Sequence, residues 1–183
     1  MSAPVEACAT AATYRWLWVV GSRYGWCFSH SHGALHVSLT TSYDPQNIFA
    51  QIIRGDAPCY KLYEDDDVLA LLDLFPQSYG HALVIPKRSA ACNILDVDTE
   101  ALCKVMAVAQ KLTRVIVDEL QPDGVQVAQF NGAPAGQTVF HIHVHIVPRY
   151  AGEGLAIHAA GKAEPAELEK LQARLVQRLK QRG

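Results

Sequence analysis

Residues 137–147 read QTVFHIHVHIV, and the reading of this stretch decides the fold around it. His141, His143 and His145 fall at every second position, so in an extended strand the three imidazoles share one face while Phe140, Ile142, Val144 and Ile146 share the other. One face suits packing and the other suits chemistry. Burying three imidazoles costs hydrogen bonds or charge unless partners are supplied, so strict alternation points to a use beyond structure.

Working outward, NGAPAGQT at Asn131 to Thr138 is a glycine-rich loop that delivers the chain into this strand, and GVQVAQF at Gly124 to Phe130 reads as another strand. Upstream, Asp98 can cap a long helix in which Leu102, Val105, Met106, Ala109, Leu112, Val115, Ile116 and Leu120 recur at three- and four-residue steps, with Pro122 and Gly124 just beyond its end. HALVIPK is a buried-looking strand closed by Pro86, and FPQSYG before it carries turn signals. YKLYE and VLALLD flank the acidic run Glu64 to Asp67 and predict a hairpin around a solvated turn. In DPQNIFAQIIRGD, Asp44 suits an N-cap, Pro45 the first helical position, Ile48, Phe49, Ile52 and Ile53 one apolar stripe, and Gly55 the end. Downstream, a C-terminal helix is predicted from Pro165, with Leu168, Leu171, Leu175 and Leu179 on one side and a solvated basic face on the other. Five strands and two main helices result, an α+β pattern with one further helix.

The chain of 183 residues and 20.0 kDa is long enough for one domain to bury a core without metal or disulfide support. Half its residues are hydrophobic, 19% are charged and the net charge is −2, which argues against a broad nucleic-acid surface. The five cysteines, Cys8, Cys27, Cys59, Cys92 and Cys103, form no C-x-x-C pair, and reduced thiols in a cytosol-like compartment are expected. No stretch approaches the ~18 consecutive apolar residues of a membrane span. Residues 1–43 differ in composition: they hold all three tryptophans, one acid, and many Ser, Thr and Ala. They are expected to be a poorly ordered extension or a leader, giving a cytoplasmic location, or a mitochondrial one if they are a transit peptide. His30, His32 and His36 lie there and are taken as incidental.

Three imidazoles on one face admit three uses. They can ligate a metal such as zinc, although no orienting carboxylates are specified nearby. They can perform phosphoryl chemistry, one neutral ring attacking while others hold phosphate oxygens, helped by backbone amides near Gly132 and Gly136 and by donors from Asn131, Gln137 and Thr138. Or they can be satisfied structural histidines.

The run His141-Ile142-His143-Val144-His145-Ile146-Val147 resembles the signature of the histidine triad (HIT) family. NIFAQIIRGDAPCYKLYEDDDVLALLD, GHALVIPK and NGAPAGQTVFHIHVHIVPRY are similar to consecutive segments of its HINT-like, prokaryotic-type branch, covering residues 46–150. The resemblance implies a HIT domain over 44–150 followed by an extension with a helix over 151–183. It also implies a five-stranded antiparallel sheet and a homodimer that pairs the long helices and continues the sheet. The activity implied is hydrolysis or transfer of purine nucleoside 5′-monophosphate derivatives, of phosphoramidate or adenylate type, through a covalent nucleotidyl-histidine. Cleavage of dinucleoside polyphosphates, or nucleotide binding with weak catalysis, are the alternatives.

By position, His143 resembles the nucleophile, with His141 and His145 as partners that orient it and contact phosphate or leaving group, and His81 as an additional active-site histidine. Asp73 resembles the carboxylate that takes the ribose hydroxyls, although read alone it is a strand-end turn acid. Asn131, Gly136, Gln137 and Thr138 resemble the phosphate-contacting loop, while Ile48, Phe49, Ile53 and Leu74 can enclose the base. Many relatives of this branch hold a structural zinc with a Cys-x-x-Cys pair and a histidine where this chain has Asn47, Ala50 and Ser89, so no metal and no cofactor is expected. Nucleic acid and membranes are not expected partners.

Overall fold

The computed structural model describes residues 39, 41–154 and 161–182; the leader expected over 1–43 lies outside them except for Leu39 and residues 41–43. Its elements are α1 (Ile48–Arg54), β1 (Lys61–Glu64), β2 (Val68–Leu72), β3 (Ala82–Pro86), α2 (Thr99–Leu120), β4 (Gly124–Ala128), a short 3-10 turn (Ala133–Ala135), β5 (Val144–Arg149) and α3 (Pro165–Arg182). The strands form one antiparallel sheet in the order β1-β2-β3-β5-β4, an α+β fold as expected.

Alternation along each strand builds two layers. Val68, Ala70, Leu72, Val84, Val144 and Ile146 face Val105, Ala109, Leu112, Val115 and Ile116 of α2 and the four leucines of α3. Leu69, Leu71, Leu83 and Ile85 face the other way, against Phe49 of α1. With both faces covered, β2 and β3 are buried along their whole lengths, hence the unbroken apolar runs VLALL and ALVIP. α3 and the residues leading into it also reach the loop that follows β2: Ala163 N–H donates to the Leu74 carbonyl at 2.9 Å, and Arg174 Nη1 donates to Tyr79 Oη at 3.3 Å. Gly80 ends that loop with φ 91°, where an added Cβ would collide with Leu120 Cδ1.

Three boundaries differ from expectation. α1 begins at Ile48 with Asn47 as its cap, whose Oδ1 accepts the Ala50 N–H at 3.0 Å. Asp44 instead closes a preceding turn, its Oδ1 accepting from Gln46 N and its carbonyl from Asn47 N. β5 begins at Val144, so only His145 of the three histidines lies within a strand. The register pairs Val84 with Val144, which would set Ile142 opposite Pro86. Pro86 has no N–H to offer, and Ile142 N–H turns to the Ala91 carbonyl at 2.9 Å. β4 stops at Ala128, opposite His145 and one residue short of the start of β5.

Among the described residues, no helix is long and apolar enough to cross a membrane. Leu112 is 0% exposed at the centre of the α2 contact. Leu112→Ala is expected to lower the stability by roughly 2–5 kcal/mol, read as a lower urea midpoint at unchanged slope.

Candidate active site

His141 and His143 leave the ladder early, and their rings are fixed by discrete hydrogen bonds. His141 is 1% exposed, with Nε2 2.9 Å from the Pro86 carbonyl and Nδ1 2.6 Å from Tyr43 Oη. A carbonyl can only accept, so the proton sits on Nε2 and Nδ1 accepts from the tyrosine. His143 Nδ1 lies 2.7 Å from the backbone carbonyl of His141, which assigns its proton to Nδ1 and its lone pair to Nε2. Its ring lines the cleft, with the Phe49 ring edge-on at 5.0 Å between centroids.

A second chain of bonds sets the tautomer of His145. The Gln77 backbone N–H donates to His81 Nδ1 at 3.2 Å, leaving the His81 proton on Nε2, which donates to His145 Nδ1 at 3.0 Å. His145 Nε2–H is therefore a donor, on a ring 4.7 Å from that of His143. Asp73 Oδ2 lies 3.3 Å from His81 Nδ1, but that nitrogen already accepts the Gln77 amide, so the two are neighbours and not an ion pair.

Burial keeps all four imidazoles neutral. Desolvation lowers the pKa of His81 and His141 from 6.5 to about 4 and that of His145 to about 3, and His143 is lowered for the same reason. Burial also raises the Asp73 carboxyl, opposed by the Phe75 N–H that its Oδ1 accepts at 2.9 Å.

These groups border a cleft of about 450 Å³ whose lining includes His143, His145, His81, Asp73, Leu74, Ile48, Phe49, Gly136 and Thr138. Four residues expected here stand elsewhere. Ile53 packs against the Phe49 cluster, and Ile52 takes the place at the cleft. His141 lies behind His143. The Asn131 Oδ1 accepts Ile94 N–H, and the buried Gln137 side chain bonds Cys92 O, Val139 O and Gly132 N. The backbone amides of Gly132, Gly136 and Gln137 are also used within the loop, so the donor residue it brings to the cleft is Thr138. Gly136 is required by its φ of 98°, since an added Cβ would meet nothing within 4 Å.

Sequence reasoning missed several lining residues. Leu71 and Leu83 share a strand face with the site and were legible from period-two alternation, whereas Pro58, Cys59, Gln77 and Phe130 carry no such signal. Tyr43, within the segment set apart by composition, was missed altogether; it, Thr41 and Leu39 all bond into the domain.

For a metal, Asn47 and Ala50 do not fit the relatives' zinc: Asn47 Oδ1 caps α1, and Ala50 has no donor. Asp73, His81 and His145 have ligand atoms within 4.8 Å of one another, but an ion there would break the bonds that the His81 nitrogens already make.

Known proteins share this fold. The family model described as the HIT domain matches residues 54–152. The protein named Protein hit from Bacillus subtilis is 39% identical over 137 residues, 72% of this chain and 93% of its own. Adenylylsulfatase HINT3 from Arabidopsis thaliana is 35% identical over 152 residues, 82% of this chain and 75% of its own. The crystal structure of a Hit-like protein involved in cell-cycle regulation from Bartonella henselae, with an unknown ligand, superposes with a TM-score of 0.71 at 41% identity, covering 75% of this chain and 99% of that one.

The lowered imidazole values give stability a definite pH dependence. Between about 6.5 and about 4 the unfolded chain binds protons that the folded one refuses, so stability is complete above about 6.5 and is lost as pH falls through that window. The urea midpoint is expected to be lower at about pH 5 than at about pH 7.5; equal midpoints would contradict the neutral assignment.

Proposed function

The chain belongs to the HIT domain family, and on that premise we propose that it hydrolyses or transfers the nucleotidyl group of purine nucleoside 5′-monophosphate derivatives, phosphoramidate or adenylate in type, through a covalent nucleotidyl-His143. The observation that carries this is the fixed tautomer of His143, whose lone pair sits on Nε2 because Nδ1–H is bonded to the His141 carbonyl. An imidazole held neutral by burial and lining a cleft is a competent nucleophile without a metal.

In the first step His143 Nε2 attacks the α-phosphorus; a P–N bond forms and the bond to the leaving group breaks, its electrons departing with that group. In the second, water attacks the same phosphorus, the P–N bond breaks, a proton goes to solvent, and the nucleoside monophosphate is released. His145 Nε2–H and the Thr138 hydroxyl hydrogen-bond the phosphate oxygens as negative charge grows, with Gly136 as the close wall. Asp73 takes the ribose hydroxyls. Ile48, Phe49, Ile52 and Leu74 enclose the base, while Asn131 and Gln137 hold the loop in shape. His141 and His81 orient the two rings that touch substrate.

With His145 held down to about 3 and the other rings also lowered by burial, none carries the second, acidic proton at neutral pH. Leaving groups that depart as stable anions need no proton, which supports adenylyl mixed anhydrides as one substrate type and accords with the adenylylsulfatase name of the Arabidopsis relative. An amine leaving group must gain its proton from solvent.

A homodimer and a cytosolic setting are part of the same reading. β4 is an edge strand with Val127 45% exposed, and α2 presents Met106 and Val117 outward at 44% and 41%, a surface suited to a second copy that continues the sheet.

His143→Ala is expected to lower turnover of adenosine 5′-phosphoramidate and adenylyl sulfate by about three orders of magnitude or more while nucleotide binding survives. Mass analysis of the quenched wild type is expected to show a nucleotidyl adduct on His143. An adduct elsewhere, or undiminished turnover in the variant, would refute the assignment. For the assembly, sedimentation is expected to give a dimer in the wild type and a monomer in Val127→Lys/Met106→Glu.

A further inference from the structure

We infer that Tyr43 is a positioning residue for the nucleophile, acting through His141; this rests on the reading of His143 as nucleophile. Two hydrogen bonds link them through His141, and a third fixes the His141 ring. Tyr43 Oη–H donates to His141 Nδ1 at 2.6 Å, His141 Nε2–H donates to the Pro86 carbonyl at 2.9 Å, and His143 Nδ1–H donates to the His141 carbonyl at 2.7 Å. The last of these leaves the attacking lone pair on Nε2, and its direction follows the orientation of the His141 peptide.

That peptide lacks the usual support. β5 starts at Val144 and β4 stops at Ala128, so no ladder holds the His141 carbonyl in place. The hold comes from the neighbouring Ile142 N–H on Ala91 and from the His141 ring, clamped at both nitrogens. With only the Pro86 bond the ring can swing about one point; with both bonds it cannot turn without breaking one. The ring is 1% exposed, so loss of the hydroxyl removes the partner of a buried acceptor.

Tyr43 is itself anchored. Asn93 Nδ2 donates to the Leu39 carbonyl at 2.8 Å, and Cys92 Sγ–H donates to the Thr41 carbonyl at 3.3 Å. The Cys92 carbonyl in turn accepts Gln137 Nε2 at 2.6 Å, which ties the segment carrying Tyr43 to the loop beside the nucleophile. Tyr43 does not line the cleft, so its effect falls on the chemical step and not on substrate contact.

The test uses Tyr43→Phe in the full chain, which keeps the ring and removes only the hydroxyl. Turnover of adenylyl sulfate is expected to fall about tenfold in kcat with KM within about twofold, because a small misorientation of the attacking atom acts on the transition state. In imidazole nitrogen NMR, the His141 Nδ1 resonance is expected to move to the position of an unbonded acceptor while Nε2 keeps its proton. An unchanged kcat in Tyr43→Phe, a loss confined to KM, or an unmoved Nδ1 resonance overturns the proposal while an adduct on wild-type His143 leaves the functional reading standing. Should the wild type form no adduct at His143, the functional reading has failed and the proposal falls with it. If Tyr43→Phe does not fold, the wild-type spectrum decides: a hydrogen-bonded Nδ1 on a neutral His141 supports the proposal, and an unbonded one overturns it.

Discussion

One hydrogen bond, from His143 Nδ1–H to the carbonyl of His141, governs what this site can do. An imidazole has two nitrogens of similar basicity, and only a fixed partner decides which one is bare. Here the partner is a backbone oxygen two residues earlier, which lies outside both ladders because β5 begins at Val144 and β4 stops at Ala128.

The same economy appears in how four buried histidines are tolerated. Each ring could be expected to carry a large desolvation penalty, yet they are arranged so that every proton but one has an acceptor nearby: Pro86 O for His141, the His141 carbonyl for His143, and His145 Nδ1 for His81. The unmatched proton is that of His145 Nε2, on a ring that lines the cleft beside His143. A network satisfied everywhere except at one donor and one lone pair has its unused hydrogen-bonding capacity where a phosphoryl group would sit.

Much of this was legible in the sequence. Period-two runs such as VLALL and period-3.6 leucines in α3 state which faces are apolar, and the structure buries those faces. The histidine alternation puts three rings on one face, and the structure sets the His143 and His145 rings 4.7 Å apart; it overstates the strand, because side-chain pattern does not register a proline on the strand opposite. Asn131 and Gln137 were legible as polar loop residues, but their direction was not: an amide beside a glycine can cradle a ligand or the loop itself, and here it does the latter. Gln77 acts through its backbone N–H, which every residue but proline possesses, so residue type holds no clue. Tyr43 was hidden by distance, lying 98 positions before the histidine it bonds.

The contacts of α3 bear on what keeps the site in order. Leu175 is 0% exposed in the core that α3 shares with α2 and the sheet, while Arg174, and Ala163 just before the helix, brace the loop between Asp73 and His81. A helix that touches none of the reacting groups therefore carries both part of the core and the rim of the cleft. Any loosening of its seat slackens the two together, so the precision of the chemistry is tied to the docking of a segment remote from it.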